Sequence, residues 1–137
     1  MQITRRHIAM ISLCLYLAAL GFLCFGNPQN YPSTPLYLWN IPADKIAHFI
    51  MFAPYPALAF ISIDPQSGSI MKKLITLFLV LTTGVSLAIC TEIIQGTMEY
   101  RSFEFWDLAA DIAGMLTCTM ALAAYILSKN RKRHQNE

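Results

Sequence analysis

The stretch LITLFLVLTTGVSLAICTEIIQ, residues 74–95, decides the fold. From Leu74 to Thr91 it carries no charged residue. At 1.5 Å rise per residue it is long enough, as a helix, to cross the roughly 30 Å hydrocarbon layer of a bilayer. Three further runs share its character, residues 8–25, 45–63 and 105–127. Of 137 residues, 55% are hydrophobic and 13% charged, so the segments outside these runs are too short for a soluble catalytic domain. The pattern predicts an all-α integral membrane protein, residues 1–137 forming one domain of four spans packed as a bundle.

The basic residues are segregated along this pattern. Arg5 and Arg6 precede the first run, Lys72 and Lys73 the third, and Lys129, Arg131, Lys132 and Arg133 follow the fourth. Only Lys45 and Arg101 fall at the opposite end. The excess of Lys and Arg on cytoplasmic loops then places both termini in the cytoplasm. Asp44, Glu92, Glu99, Glu104, Asp107 and Asp111 belong to the outer half. The tail KNRKRHQNE, residues 129–137, reads as a topology determinant lying against anionic headgroups, with no pattern for nucleic-acid readout. Cys14, Cys24, Cys90 and Cys118 all lie within spans, without a CxxC pair, and read as small apolar residues. Cys24 and Cys90, near the outer ends of their spans, are the one pair a bridge would suit. The first run resembles a signal peptide but lacks a small-x-small cleavage site, so it reads as an uncleaved anchor.

Two features interrupt the helices. The connection GNPQNYPSTPLYLWNIPAD, residues 26–44, holds four prolines and cannot be helical throughout. Its Tyr31, Tyr37 and Trp39 favour the headgroup layer, so it is expected on the outer membrane surface, partly covering the mouth of the bundle. In FAPYPALAF, residues 52–60, Pro54 and Pro56 each remove a backbone donor, which predicts a kink whose freed carbonyls need new partners. DPQSG, residues 64–68, reads as a cytoplasmic turn and GTMEYRSFE, residues 96–104, as a short outer connection.

The polar residues of the spans fall at one level. His48 lies one helical turn, about 6 Å, deeper than Asp44, and Asp111 the same distance below Asp107. Glu92 lies just below Gln95, at the outer end of the third run. Three helices thus offer His48, Glu92 and Asp111 at similar shallow depth, with Asp44, Lys45, Gln95 and Asp107 above them and Arg101 in the adjoining connection. A charge at mid-membrane costs about 2.5–3.5 kcal/mol on insertion scales, so such groups must pair or face a wet cavity.

Several functions fit this constellation. As a structural lock, Lys45 or Arg101 pairs with Asp107, Asp111 or Glu92. As a binding site, the outer pocket receives the polar head of an anionic lipid, with Arg101 and Lys45 as phosphate donors. As an enzyme, it uses His48, Glu92 and Asp111 in acid–base chemistry or as ligands of a divalent metal. A small proton-coupled transporter is a further alternative, against which stands the lack of ionisable groups in the inner half of any span. No HExxH, G-x-S-x-G or cysteine-rich metal motif accompanies the cluster.

DKIAHF (44–49), EIIQ (92–95) and RSFEFWDLAADIAG (101–114), taken in order, resemble the VanZ-like family of small bacterial membrane proteins, named for a protein associated with low-level teicoplanin resistance. Asp44, Lys45 and His48 match its first motif, Glu92 and Gln95 its second, and Arg101, Asp107, Asp111 and Gly114 its third. Asp111 is a departure, since Asn is more usual there, and it adds a potential charge. The resemblance spans about residues 40–120 and implies a protein of the bacterial cytoplasmic membrane. It points to membrane lipids, or lipid-linked cell-wall or polysaccharide intermediates, as partners, and to an effect on glycopeptide susceptibility.

Overall fold

Residues with no backbone partner in lipid must satisfy their own hydrogen bonds, and the apolar runs do so as helices. A computed structural model describes residues 5–26, 37–38, 40–63 and 69–135. The helices are α1 (Arg5–Phe25), α2 (Ala43–Phe52), α3 (Tyr55–Ile63), α4 (Ile70–Gln95) and α5 (Phe105–Gln135). Two short antiparallel strands, β1 (Tyr37–Leu38) and β2 (Ile41–Pro42), precede α2. Asn40, between the strands, takes the left-handed conformation (φ 63°) that a short polar side chain tolerates. The outer-loop residues Tyr31 and Trp39, and the turn at 64–68, lie outside the described residues.

Four helical stretches are long and apolar enough to cross a membrane: Arg5–Phe25, Ala43–Ile63, Ile70–Gln95 and Phe105–Lys132. Each contains the apolar run that predicts it and extends beyond it. The chain has the make-up of a multi-pass membrane protein. Its surface agrees, because bulky apolar residues such as Phe22 (72% exposed) and Met120 (70%) point outward, where only lipid would shield them.

The second stretch breaks where its prolines lie. α2 ends at Phe52 and α3 starts at Tyr55, with Pro54 between. The carbonyl of Met51, beside the break, accepts a hydrogen bond from the Tyr16 hydroxyl of α1 at 2.6 Å. A carbonyl at the kink is therefore satisfied from a neighbouring helix, as lipid surroundings require.

α5 packs on α2 and α4, and α1 on α3. The buried centre joins Leu20 and Cys24 of α1 to Phe52, Ala88 and Met115. Cys24 is buried whereas Cys90 is exposed, and all four cysteines are free thiols, so no bridge joins that pair. α2 and α5 approach most closely at Gly114, where a Cβ would fall on the Phe49 carbonyl oxygen. At Gly84 an added Cβ would meet side-chain atoms, the Met115 sulfur at 2.6 Å and the Tyr55 ring at 2.8 Å. At Gly21 it would meet nothing within 4 Å.

These contacts predict a graded series. Gly114→Ala meets backbone, which cannot swing aside, and should cost about 1–3 kcal/mol. Gly84→Ala should cost less, because the Met115 and Tyr55 side chains it meets can shift where backbone cannot. Gly21→Ala should cost nothing measurable. Chemical denaturation in detergent, followed by helical circular dichroism, gives the order, and an equal effect at all three positions would remove the close α2–α5 approach.

Candidate functional site

Hydrogen bonds and ion pairs gather the ends of four helices. The N-termini of α2 and α5, which run parallel, meet the C-termini of α1 and α4. Asp44 and Asp107 fall in the first turns of α2 and α5, where the positive helix ends favour carboxylates.

Lys45 is the hub of the layer nearest the helix ends. Its ammonium donates to Asp44 at 2.9 Å, to Glu104 at 2.5 Å and to Asp107. An ammonium has three hydrogens, so all its donors are engaged. One turn deeper, His48 Nδ1 lies 3.0 Å from Asp111 Oδ1, and both residues are buried. A carboxylate only accepts, so Nδ1 carries the hydrogen of that bond. His48 Nε2 then faces Asp107 Oδ2 at 3.6 Å, too far for a hydrogen bond.

Glu92 completes this layer from α4 and is 1% exposed. Its Oε2 accepts the backbone N–H of Glu104 at 3.2 Å, just ahead of α5. One helix thus caps the start of the next. Among the described residues Glu92 Oε1 and Asp111 Oδ2 are buried without a hydrogen-bond partner. Nitrogen or oxygen atoms of His48, Glu92 and Asp107 lie within 4.8 Å of one another, a separation that suits a shared cation.

The sequence places His48, Glu92, Asp107 and Asp111 together, and in the structure they are. Two expectations need correction. Gln95 is buried but turns away from the cluster, donating through Nε2 to the Cys24 carbonyl of α1 at 2.8 Å. It ties α4 to the end of α1, where Tyr100 also donates to the Phe25 carbonyl at 3.2 Å. Arg101 takes no part in the ion-pair network. Among the described residues its side chain has no hydrogen bond or ion pair, and its Nε is buried without a partner. Of the lock's two candidate cations, Lys45 alone is used.

Glu104 is the site residue that sequence reasoning missed. It carries one of the Lys45 ion pairs and its carbonyl accepts the Asp107 and Leu108 N–H groups. Its spacing is the available signal, an acid three residues before Asp107 at the foot of a helix.

The fold and site define an all-helical, multi-pass membrane protein with a buried His–carboxylate cluster at one end of its helices. The chain is similar to the uncharacterized protein C11E3.10 of Schizosaccharomyces pombe (strain 972 / ATCC 24843), with 27% identity over 131 residues, 95% of this chain and 68% of that protein. No family model matches the chain, and no solved structure matches it.

Lys45→Met leaves Asp107 without its cation, and with the Lys45 side chain only 17% exposed this should destabilise the fold by about 1–3 kcal/mol. Adding Asp107→Asn removes the orphaned charge and should restore part of that loss. A double-mutant cycle on denaturation free energies checks it, and strict additivity would show that the pair does not couple.

Proposed function

We propose that this chain is a VanZ-like protein of the bacterial cytoplasmic membrane. Its spans pack as a four-helix bundle with both termini in the cytoplasm, and its polar cluster opens toward the outer leaflet and receives an anionic lipid headgroup. Segregation of the basic residues supports the orientation. The order of the Asp44–His48, Glu92–Gln95 and Arg101–Gly114 motifs supports the kinship.

One observation carries the binding reading. Among the described residues Arg101 keeps a guanidinium free of any acid, in the connection flanked by Glu92 and Glu104. Four carboxylates, Asp44, Glu104, Asp107 and Glu92, touch Lys45 or that connection, yet among the described residues none pairs with Arg101. A guanidinium whose donors no acid takes suits a phosphate oxyanion, which a planar fork can grip with two parallel hydrogen bonds. Lys45, saturated by carboxylates, contributes position rather than donors.

A second reading rests on the His48–Asp111 hydrogen bond. A carboxylate that orients an imidazole prepares its other nitrogen for acid–base work, so the same lipid could be a substrate.

Arg101→Ala should weaken retention of phosphate-bearing lipid about 10- to 100-fold, the worth of a charge-assisted pair of hydrogen bonds. Mass spectrometry of lipids bound to protein purified in nanodiscs measures this against the wild type. Unaltered retention would overturn the binding reading. A lipid that changes mass with wild type but not with His48→Ala would make the protein an enzyme.

A further inference from the structure

The geometry points to a divalent-cation site formed by His48, Glu92 and Asp107, with Asp111 as the group that orients His48. It does not depend on whether a lipid headgroup occupies the pocket.

Three features converge on it. The first is spacing. His48 Nε2 and Asp107 Oδ2 are 3.6 Å apart. Two ligands of one ion at bond lengths near 2.0–2.1 Å stand about 3.4 Å apart at the tetrahedral angle. Glu92 closes the triangle, its ligand atom lying within 4.8 Å of the other two.

The second is an unsatisfied ligand. Glu92 is 1% exposed, reaches into this triangle, and leaves Oε1 without a partner. Its other oxygen is held by the Glu104 N–H, which fixes the carboxylate in place. A buried carboxylate oxygen with no donor is costly, and a cation removes the cost.

The third is the imidazole. Because Nδ1 gives its hydrogen to Asp111 at 3.0 Å, the other nitrogen is aimed at an oxygen of Asp107. In the neutral imidazole that nitrogen carries a lone pair, which a cation between it and Asp107 would take up. A carboxylate behind an imidazole that turns its far nitrogen to a metal is the usual outer support of histidine ligands. Lys45 does not fill this role, since its contacts are with Asp44, Glu104 and Asp107, not with Glu92 or Asp111. One nitrogen and two carboxylates suit a first-row divalent ion such as Mn²⁺ or Zn²⁺.

The probe is Mn²⁺ alone, titrated into the full chain in nanodiscs of zwitterionic phosphatidylcholine and read by electron paramagnetic resonance. His7 and His134 are changed to Gln beforehand, so that His48 is the remaining imidazole. One ion should bind per chain, and pulsed spectra should show coupling to an imidazole nitrogen. Glu92→Gln should weaken binding about tenfold or more, as loss of a metal-site partner typically does. Glu99→Gln, an exposed acid in the following turn, should leave it unchanged. No stoichiometric binding, or binding without nitrogen coupling, would overturn the inference in the Glu92-containing protein itself, whatever the folding of the variant. Equal binding by a helical, monodisperse Glu92→Gln protein would overturn it too.

Discussion

The structure depends on one constraint, that a carboxylate buried among apolar helices must find a partner on another helix. Asp111 and His48 answer it across the α2–α5 contact, and Lys45 answers it for Asp107 one turn above. Both ties need the two backbones close together, and Gly114 removes the side chain that would hold them apart. The polar pairs and the glycine are therefore one device. Without the glycine the pairs would be out of reach, and without the pairs nothing in lipid would favour this approach over any other apolar contact.

The same reasoning explains how the remaining helices are placed. α4 is joined to this device through Glu92, which caps the start of α5, and to α1 through Gln95. α1 is joined to the α2–α3 break through Tyr16. Each tie satisfies a backbone group that a kink or a helix end leaves exposed. In a membrane such groups have no water to turn to, so side-chain hydrogen bonds do the work that hydrophobic burial does in a soluble protein. Among the described residues the carboxylates at this end outnumber the cations that touch them.

Much of this was legible in the sequence. Uncharged runs such as 74–91 are long enough to fix the helices, and Pro54 marks the break within the second stretch. Counting 1.5 Å per residue brings His48, Glu92 and Asp111 to one level along their helices, and in the structure His48 lies beside both carboxylates. Partner choice was not legible. A helix apolar on all sides carries little periodicity to say which face meets which neighbour. So Gln95 reads as a site residue though it serves α1, and Glu104 reads as loop though it holds Lys45. Arg101 looks like a counter-ion from sequence, yet among the described residues no acid holds it. Local charge proximity along the chain does not decide pairing when the helix rotation is unknown.

The most direct test is a double-mutant cycle on His48→Gln and Asp111→Asn, with unfolding free energies measured in bilayers. A buried pair that locks α2 to α5 should show a coupling of about 1 kcal/mol or more. Effects that add within about 0.3–0.5 kcal/mol would mean that the two side chains do not meet, and that the cluster at this end of the helices does not form.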